Sequence, residues 1–99
     1  MAKGKTFDIY KGDRRNIAGL KIKRARMIHD PTLTQEDLAQ KIQLMGYTDM
    51  THIIISRVER GIRPITDAEL KIFAVALGQS LDWLTQDFEP VGEVSTTTD

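Results

Sequence analysis

The residues with chemically useful side chains lie mainly between Gln35 and Arg63. His52 and Ser56 are four residues apart, so on a helix they share a face, as a base and a nucleophile would. No orienting third group and no oxyanion loop accompany them, and the other histidine, His29, lies 23 residues away, which does not make a metal set. The chain has no cysteine for a disulfide or a thiolate site. We expect no enzyme activity, no metal and no cofactor.

The same side chains suit hydrogen bonding to DNA. Arg57 can donate two parallel hydrogen bonds to guanine O6 and N7, and Ile53 can contact a thymine methyl group. Gln35 would stand at the start of a helix, where free N–H groups and the helix dipole attract a phosphate. The other candidate contacts on this stretch are Thr51, His52 and Ser56.

Two short helices must position these residues. Thr34 and Thr51 are N-cap residue types, and Gly61 is the usual residue just after a helix. Apolar residues at helical spacing give each helix an inward face: Leu38, Ala39 and Ile42 in the first, Ile55 and Val58 in the second. The small Ala39 lets the two helices cross closely. Such a pair is the frame of a helix-turn-helix, whose second helix can lie in the DNA major groove.

The remaining pattern predicts three more helices. The first should run from about Asn16, as N-cap, to about Ile28. The fourth opens with a capping box at 66–69 and ends at Gly78, and a short fifth covers 81–86. The last helix and the residues after it carry two aromatic side chains, each of which can belong to the core or to a dimer interface: Trp83 and Phe88.

Three segments also carry a resemblance to a known family. T-Q-E-D-L-A at 34–39, I-S-R-V-E-R-G at 55–61 and L-K-I-F-A-V-A-L-G at 70–78 resemble the lambda-repressor-like, or XRE-type, DNA-binding domains. The resemblance covers about 17–86 and implies an all-α, five-helix lambda-repressor-like domain. Residues 43–50 depart from the family, which usually joins its second and third helices by a few residues. We interpret them as an extra helical turn and a loop, hence an extended connection inside the helix-turn-helix.

The resemblance implies further roles for individual residues. Gln35, Arg60 and Arg63 match positions that contact the DNA backbone. Arg26 and Glu59 match a pair of charges that bind each other near the edge of the core, so a structural ion pair is favoured over a phosphate contact for Arg26. Members of the family usually act as dimers on paired half-sites.

Two isoleucines fit the family pattern less well. Ile53 and Ile54 stand where the family mostly has polar side chains. They can face DNA, the core or a protein partner. We favour Ile54 partly buried by the extended connection and Ile53 at the groove.

The charges are distributed unevenly along the chain. The formal net charge is zero, but residues 1–30 hold nine Lys/Arg and three Asp/Glu, a balance of +6, and residues 31–99 a balance of −6. A molecule so polarised can present a basic face to phosphates. The sequence predicts a flexible basic arm at 1–15, a helix-turn-helix domain at 16–86 and a disordered tail at 87–99.

These observations predict a cytoplasmic, homodimeric transcriptional regulator, a repressor by preference, that binds double-stranded DNA and needs no membrane or small-molecule ligand. The alternative is a protein-interaction module on the same scaffold, such as an antitoxin-like or accessory partner.

Overall fold

The protein is described here by a computed structural model that covers residues 12–88. Five α-helices follow one another along the chain: α1 (Gly19–Ile28), α2 (Gln35–Leu44), α3 (His52–Glu59), α4 (Asp67–Leu77) and α5 (Leu81–Thr85). This part of the chain contains no β-strand, and the predicted all-α, five-helix class is confirmed. None of these helices combines the length and the apolar composition that a membrane crossing requires.

Hydroxyl side chains cap four of the five helices. In each case the oxygen accepts a hydrogen bond from the backbone N–H three residues later, which supplies a partner for a donor that the helix itself leaves free. The four caps are Thr34, Thr51, Thr66 and Ser80. At Thr34 and Thr66 the backbone N–H of the cap also donates to the carboxylate three residues later, so each is a capping box, and the one predicted at 66–69 is confirmed.

The start of α1 differs from the prediction. The helix begins at Gly19 rather than just after Asn16, and its N-cap, Ala18, has no side-chain bond. Asn16 still serves the helix, because its Oδ1 accepts from the Gly19 N–H at 2.7 Å. Its side-chain amide nitrogen instead donates to the carbonyls of Val58 and Arg63, which are distant in the sequence, so the local pattern does not indicate these bonds. α5 likewise ends at Thr85, one residue before the predicted end.

All five helices contribute to one hydrophobic core. Its largest fully buried side chains are Phe73, Ile22, Leu38, Ile42, Ile55, Leu84 and Val58. Burying a side chain of this kind contributes about 1.5–3 kcal/mol, so these residues supply much of the fold's stability. Trp83 packs against this core while half-buried, and the Lys21 ammonium lies 4.3 Å from the centre of its ring. Phe88, also half-buried, lines a groove with Ile17 and Leu70.

The predicted arm and tail fall largely at the two ends of the chain. Residues 1–11 and 89–99 lie outside the described residues. Arg14 and Arg15, which the sequence assigns to the arm, form hydrogen bonds with α3 and the residues after it. These two residues are therefore part of the folded domain.

Candidate nucleic-acid interface

The two faces of α3 differ sharply in exposure. Ile55, Val58 and Glu59 are buried. His52, Ile53 and Arg57 are exposed, and Ile53 leaves 51% of its surface in contact with solvent. Because the buried residues fix which side of α3 meets the core, the exposed ones form a continuous outward face over the first two turns.

The N-terminus of α2 is joined to α3 through one buried carboxylate. Glu59 is 4% exposed and accepts two hydrogen bonds from Arg26, at 2.8 Å from Nε and 2.9 Å from Nη2. Gln35, the first residue of α2, donates to the same carboxylate at 3.0 Å. The hydrogen bond to Glu59 raises the pKa of Arg26 above its ordinary value, while burial opposes the shift. This hydrogen-bonded group connects α1, α2 and α3, so it helps to fix the orientation of α2 relative to α3.

The connection between α2 and α3 is an ordered loop. α2 continues to Leu44, and Gly46 then takes φ +107°, a conformation that favours glycine. The loop is fastened at its far end, since the Gln43 side-chain amide donates to the Met50 carbonyl at 2.6 Å and the Met50 side chain is buried. The predicted extra helical turn and loop are both present.

The two isoleucines of the first turn of α3 are treated differently by this connection. Ile54 is half-buried, packs against the core and lines a cleft with Tyr47 and Met50 from the connection. Ile53 has no such cover and is half exposed. Ile54 is therefore partly buried by the connection, as expected from the sequence, whereas the place of Ile53 at the groove stays a prediction.

Comparison with models of known protein families matches residues 22–84, nearly two-thirds of the chain, to a helix-turn-helix family of the lambda-repressor-like, XRE type. The chain belongs to this helix-turn-helix family. It is accordingly a DNA-binding regulator of transcription. Neither a curated protein nor a solved structure matches it.

In this helix-turn-helix domain most of the predicted contact residues lie on the α2–α3 unit. Ser56 and Gln35 are half-buried, and the other members on the unit are exposed: Thr51, His52, Ile53, Arg57 and Arg60. Together they present hydroxyl, imidazole, aliphatic and guanidinium groups on one element. Among residues 12–88, no cluster of three or more His, Cys, Asp and Glu side chains is arranged to hold a metal ion.

Arg63 is placed differently from the other predicted contacts. Its Nη1 and Nη2 donate to the two carboxylate oxygens of Glu69 at 3.0 and 2.9 Å, and Nη1 also donates to the Pro64 carbonyl. The hydrogen bond from Arg63 holds the pKa of Glu69 below its ordinary value. Glu69 also completes the capping box of α4, so Arg63 fastens the loop after α3 to α4. Nη1 and Nη2 of Arg63 are thus bonded within the protein, so a phosphate would compete with Glu69 for them. The contact of Arg63 with the DNA backbone stays a prediction.

Sequence reasoning missed the residues that hold the C-terminal end of the helix-turn-helix unit. Asn16 is buried and donates to the carbonyls of Val58 and Arg63, at 2.9 and 2.8 Å. Arg14 donates to the Glu59 carbonyl at 2.8 Å. The partners are more than 40 residues apart in sequence, so no local pattern could have indicated them.

Proposed function

We propose that this protein binds double-stranded DNA sequence-specifically through α3 in the major groove and represses transcription as a homodimer. The observation that carries the proposal is the outward face of α3, where His52, Ile53 and Arg57 are exposed on a helix whose opposite face is buried. The first turns of such a helix enter the groove deepest in the helix-turn-helix docking geometry.

The exposed side chains divide into those that read bases and those that position the protein. Arg57 donates to O6 and N7 of a guanine, and Ile53, one turn earlier, contacts a thymine methyl group. His52 and Ser56 reach base edges beside them. The positioning contacts to phosphates come from Gln35, Thr51 and Arg60, and these carry no sequence information. Gln35 uses its Nε2 on Glu59, so its contribution to a phosphate comes from the α2 N-terminus that it occupies.

The first test is a salt series of binding to random and to selected duplex DNA. Binding should weaken linearly in log K against log salt, because each neutralised phosphate releases counterions. Arg57→Ala should cost about 1–3 kcal/mol per protomer on the selected sequence and relax the preference at one base pair of each half-site. Arg24→Ala removes an exposed arginine that lines a cleft with Trp83 on the α1–α5 side, so it serves as the matched control.

The contribution of Ile53 has its own test. Replacing each thymine of the selected site by deoxyuridine deletes only the methyl group. The wild type should lose affinity at one position in each half-site, and the same replacement should not weaken the binding of Ile53→Ala. If no single replacement weakens the wild type, Ile53 does not read thymine.

Repression and dimerisation are tested separately. Sedimentation should give twice the monomer mass, and the selected site should contain two related half-sites about one helical turn, or a multiple of it, apart. A promoter that overlaps this site should lose activity when the protein is present. Increased activity would identify an activator, and an unpaired site with monomeric protein would contradict the dimer.

A second candidate function is favoured by the exposed apolar residues at the end of α2 and in the connection. Leu44 is 85% exposed, and Met45 and Tyr47 are 37% and 48% exposed. Such residues fit a protein-interaction module of the antitoxin-like or accessory kind. Absence of duplex binding at low salt, or binding that Arg57→Ala leaves unchanged, would favour this candidate over DNA.

A further inference from the structure

Residues 14–16, the segment just before α1, are hydrogen-bonded to the C-terminal end of α3 and to the residues that follow it. The last carbonyls of a helix have no partner within the helix. Here the carbonyl of Glu59 accepts from Arg14 Nη2 at 2.8 Å, and the carbonyl of Gly61 accepts from the backbone N–H of Arg15 at 2.6 Å. Asn16 binds the Val58 carbonyl next to them. Arg14 and Asn16 thus bind the last carbonyls of α3, and Arg15 binds the residue just after its C-cap.

The contact between this segment and the end of α3 is tightly packed. A Cβ atom added at Gly61 would lie 2.6 Å from Arg14 Cζ, and φ at Gly61 is +78°. A Cβ atom added at Gly19 would collide with the Val58 carbonyl. Asn16 uses its side chain on α1, on α3 and on the loop after α3 at once. The fold therefore fixes the position of this segment relative to the C-terminal end of α3 and the loop that follows it.

Two arginines near this contact have exposed side chains that form no ion pair among the described residues. Arg15 is exposed and its backbone is bonded to Gly61, the residue that follows the exposed Arg60. Among the described residues neither of these two forms an ion pair, whereas Arg26 and Arg63 are each paired with a buried or half-buried carboxylate. Arg15 and Arg60 thus bring two solvated positive charges to the same end of α3.

We propose that Arg15 is a further DNA contact. It binds the phosphate backbone beside Arg60, on the stretch of DNA that flanks the base pairs contacted by α3. The inference rests on the proposed docking of α3. With the N-terminus of α3 in the groove, its C-terminal end points outward to the flanking backbone, and Arg15 is held there. The contact is with phosphate, so it adds affinity and orientation but no base preference.

The experiment compares Arg15→Gln and Arg24→Gln in the full chain across a salt series on the selected duplex. Among residues 12–88 the hydrogen bond of Arg15 is made by its backbone N–H, so the substitution should leave helical content and the urea midpoint unchanged. Loss of one phosphate contact in each protomer should lower the slope of log K against log salt by about 0.9 for each protomer bound, which is about eightfold in affinity per protomer at 0.1 M salt. The factor should be equal on random duplex. Arg24→Gln should change neither slope nor affinity.

A neutral methylphosphonate placed at successive flanking positions locates the contact. At one position in each half-site it should weaken the wild type and have no effect on Arg15→Gln. The inference is overturned if Arg15→Gln keeps the wild-type slope while Arg57→Ala loses affinity, an outcome that leaves the proposed function standing. If the wild type binds no duplex at low salt, both proposals fail together. A loss confined to one DNA sequence would also overturn it, since a base contact behaves that way.

Discussion

Removing Arg26 should destabilise this domain more than any surface charge substitution. The Arg26 side chain is 12% exposed and that of Glu59 is 3% exposed, and two hydrogen bonds of 2.8 and 2.9 Å join them. Arg26→Met keeps the length of the side chain but leaves the carboxylate with Gln35 as its remaining side-chain donor among the described residues. Breaking a buried pair in this way costs about 3–5 kcal/mol, because an uncompensated charge stays buried.

That loss is large against the stability of a small domain, which is about 5–15 kcal/mol. For a domain of this size each kcal/mol shifts Tm by roughly 4–8 °C, so a decrease of roughly 12–40 °C is expected. Replacing both partners, as Arg26→Met with Glu59→Leu, removes the buried charge altogether. The double variant should recover much of the loss, since apolar side chains of similar volume often replace a buried pair without a net cost.

Urea unfolding followed by circular dichroism measures these differences, with Arg24→Met as the control on the exposed side of the same helix. The control should stay within about 0.5 kcal/mol of the wild type. A loss below about 1 kcal/mol for Arg26→Met at an unchanged m-value would refute the reasoning, because that is what an exposed pair contributes. So would a double variant as unstable as the sum of the two single ones.

Two further predictions concern stability. Gly19→Ala should destabilise the domain by about 1–3 kcal/mol although alanine favours helices, because the added Cβ meets the Val58 carbonyl; Leu20→Ala, at the exposed neighbouring position, should change little in urea unfolding. Arg63 lowers the pKa of Glu69, so the stabilisation is complete above the ordinary pKa of about 4.3 and is lost as the pH falls through the lower folded value. Urea midpoints measured from pH 7 to pH 3 should therefore fall more steeply for the wild type than for Glu69→Gln; parallel curves would contradict this.

Features that depend on near neighbours in the chain could be predicted from the sequence. The hydroxyl caps at Thr34, Thr51, Thr66 and Ser80 bond three residues ahead, so residue type and spacing suffice to find them. The inward faces of α2 and α3 followed from periodicity for the same reason. The outward face of α3 was then what remained.

Features that depend on distant partners could not be predicted in this way. Arg63 and Arg60 look alike in sequence, and only the position of α4 places a carboxylate on one of them. Asn16 has the residue type of a simple N-cap, but two carbonyls from the end of α3 and its loop hold its amide group. The seat of Arg14 and Arg15 on α3 is likewise a product of tertiary packing. Charge and residue type identified these residues as polar and useful without indicating their partners.

The hydrogen bond from the Gln43 side chain to the Met50 carbonyl holds together the two ends of the connection. This bond does not depend on the residues between them, 44–49. Closing a flexible loop becomes more costly only slowly with length, by about 0.6 kcal/mol for each doubling. Residues 44–49 are exposed, so chain added there displaces no core side chain. An inserted peptide tag or a pair of new chain ends at Thr48 should therefore be accepted. A fluorophore attached at Thr48 would move with α3 and would report on the docking of α3 to DNA without occupying the outward face of that helix.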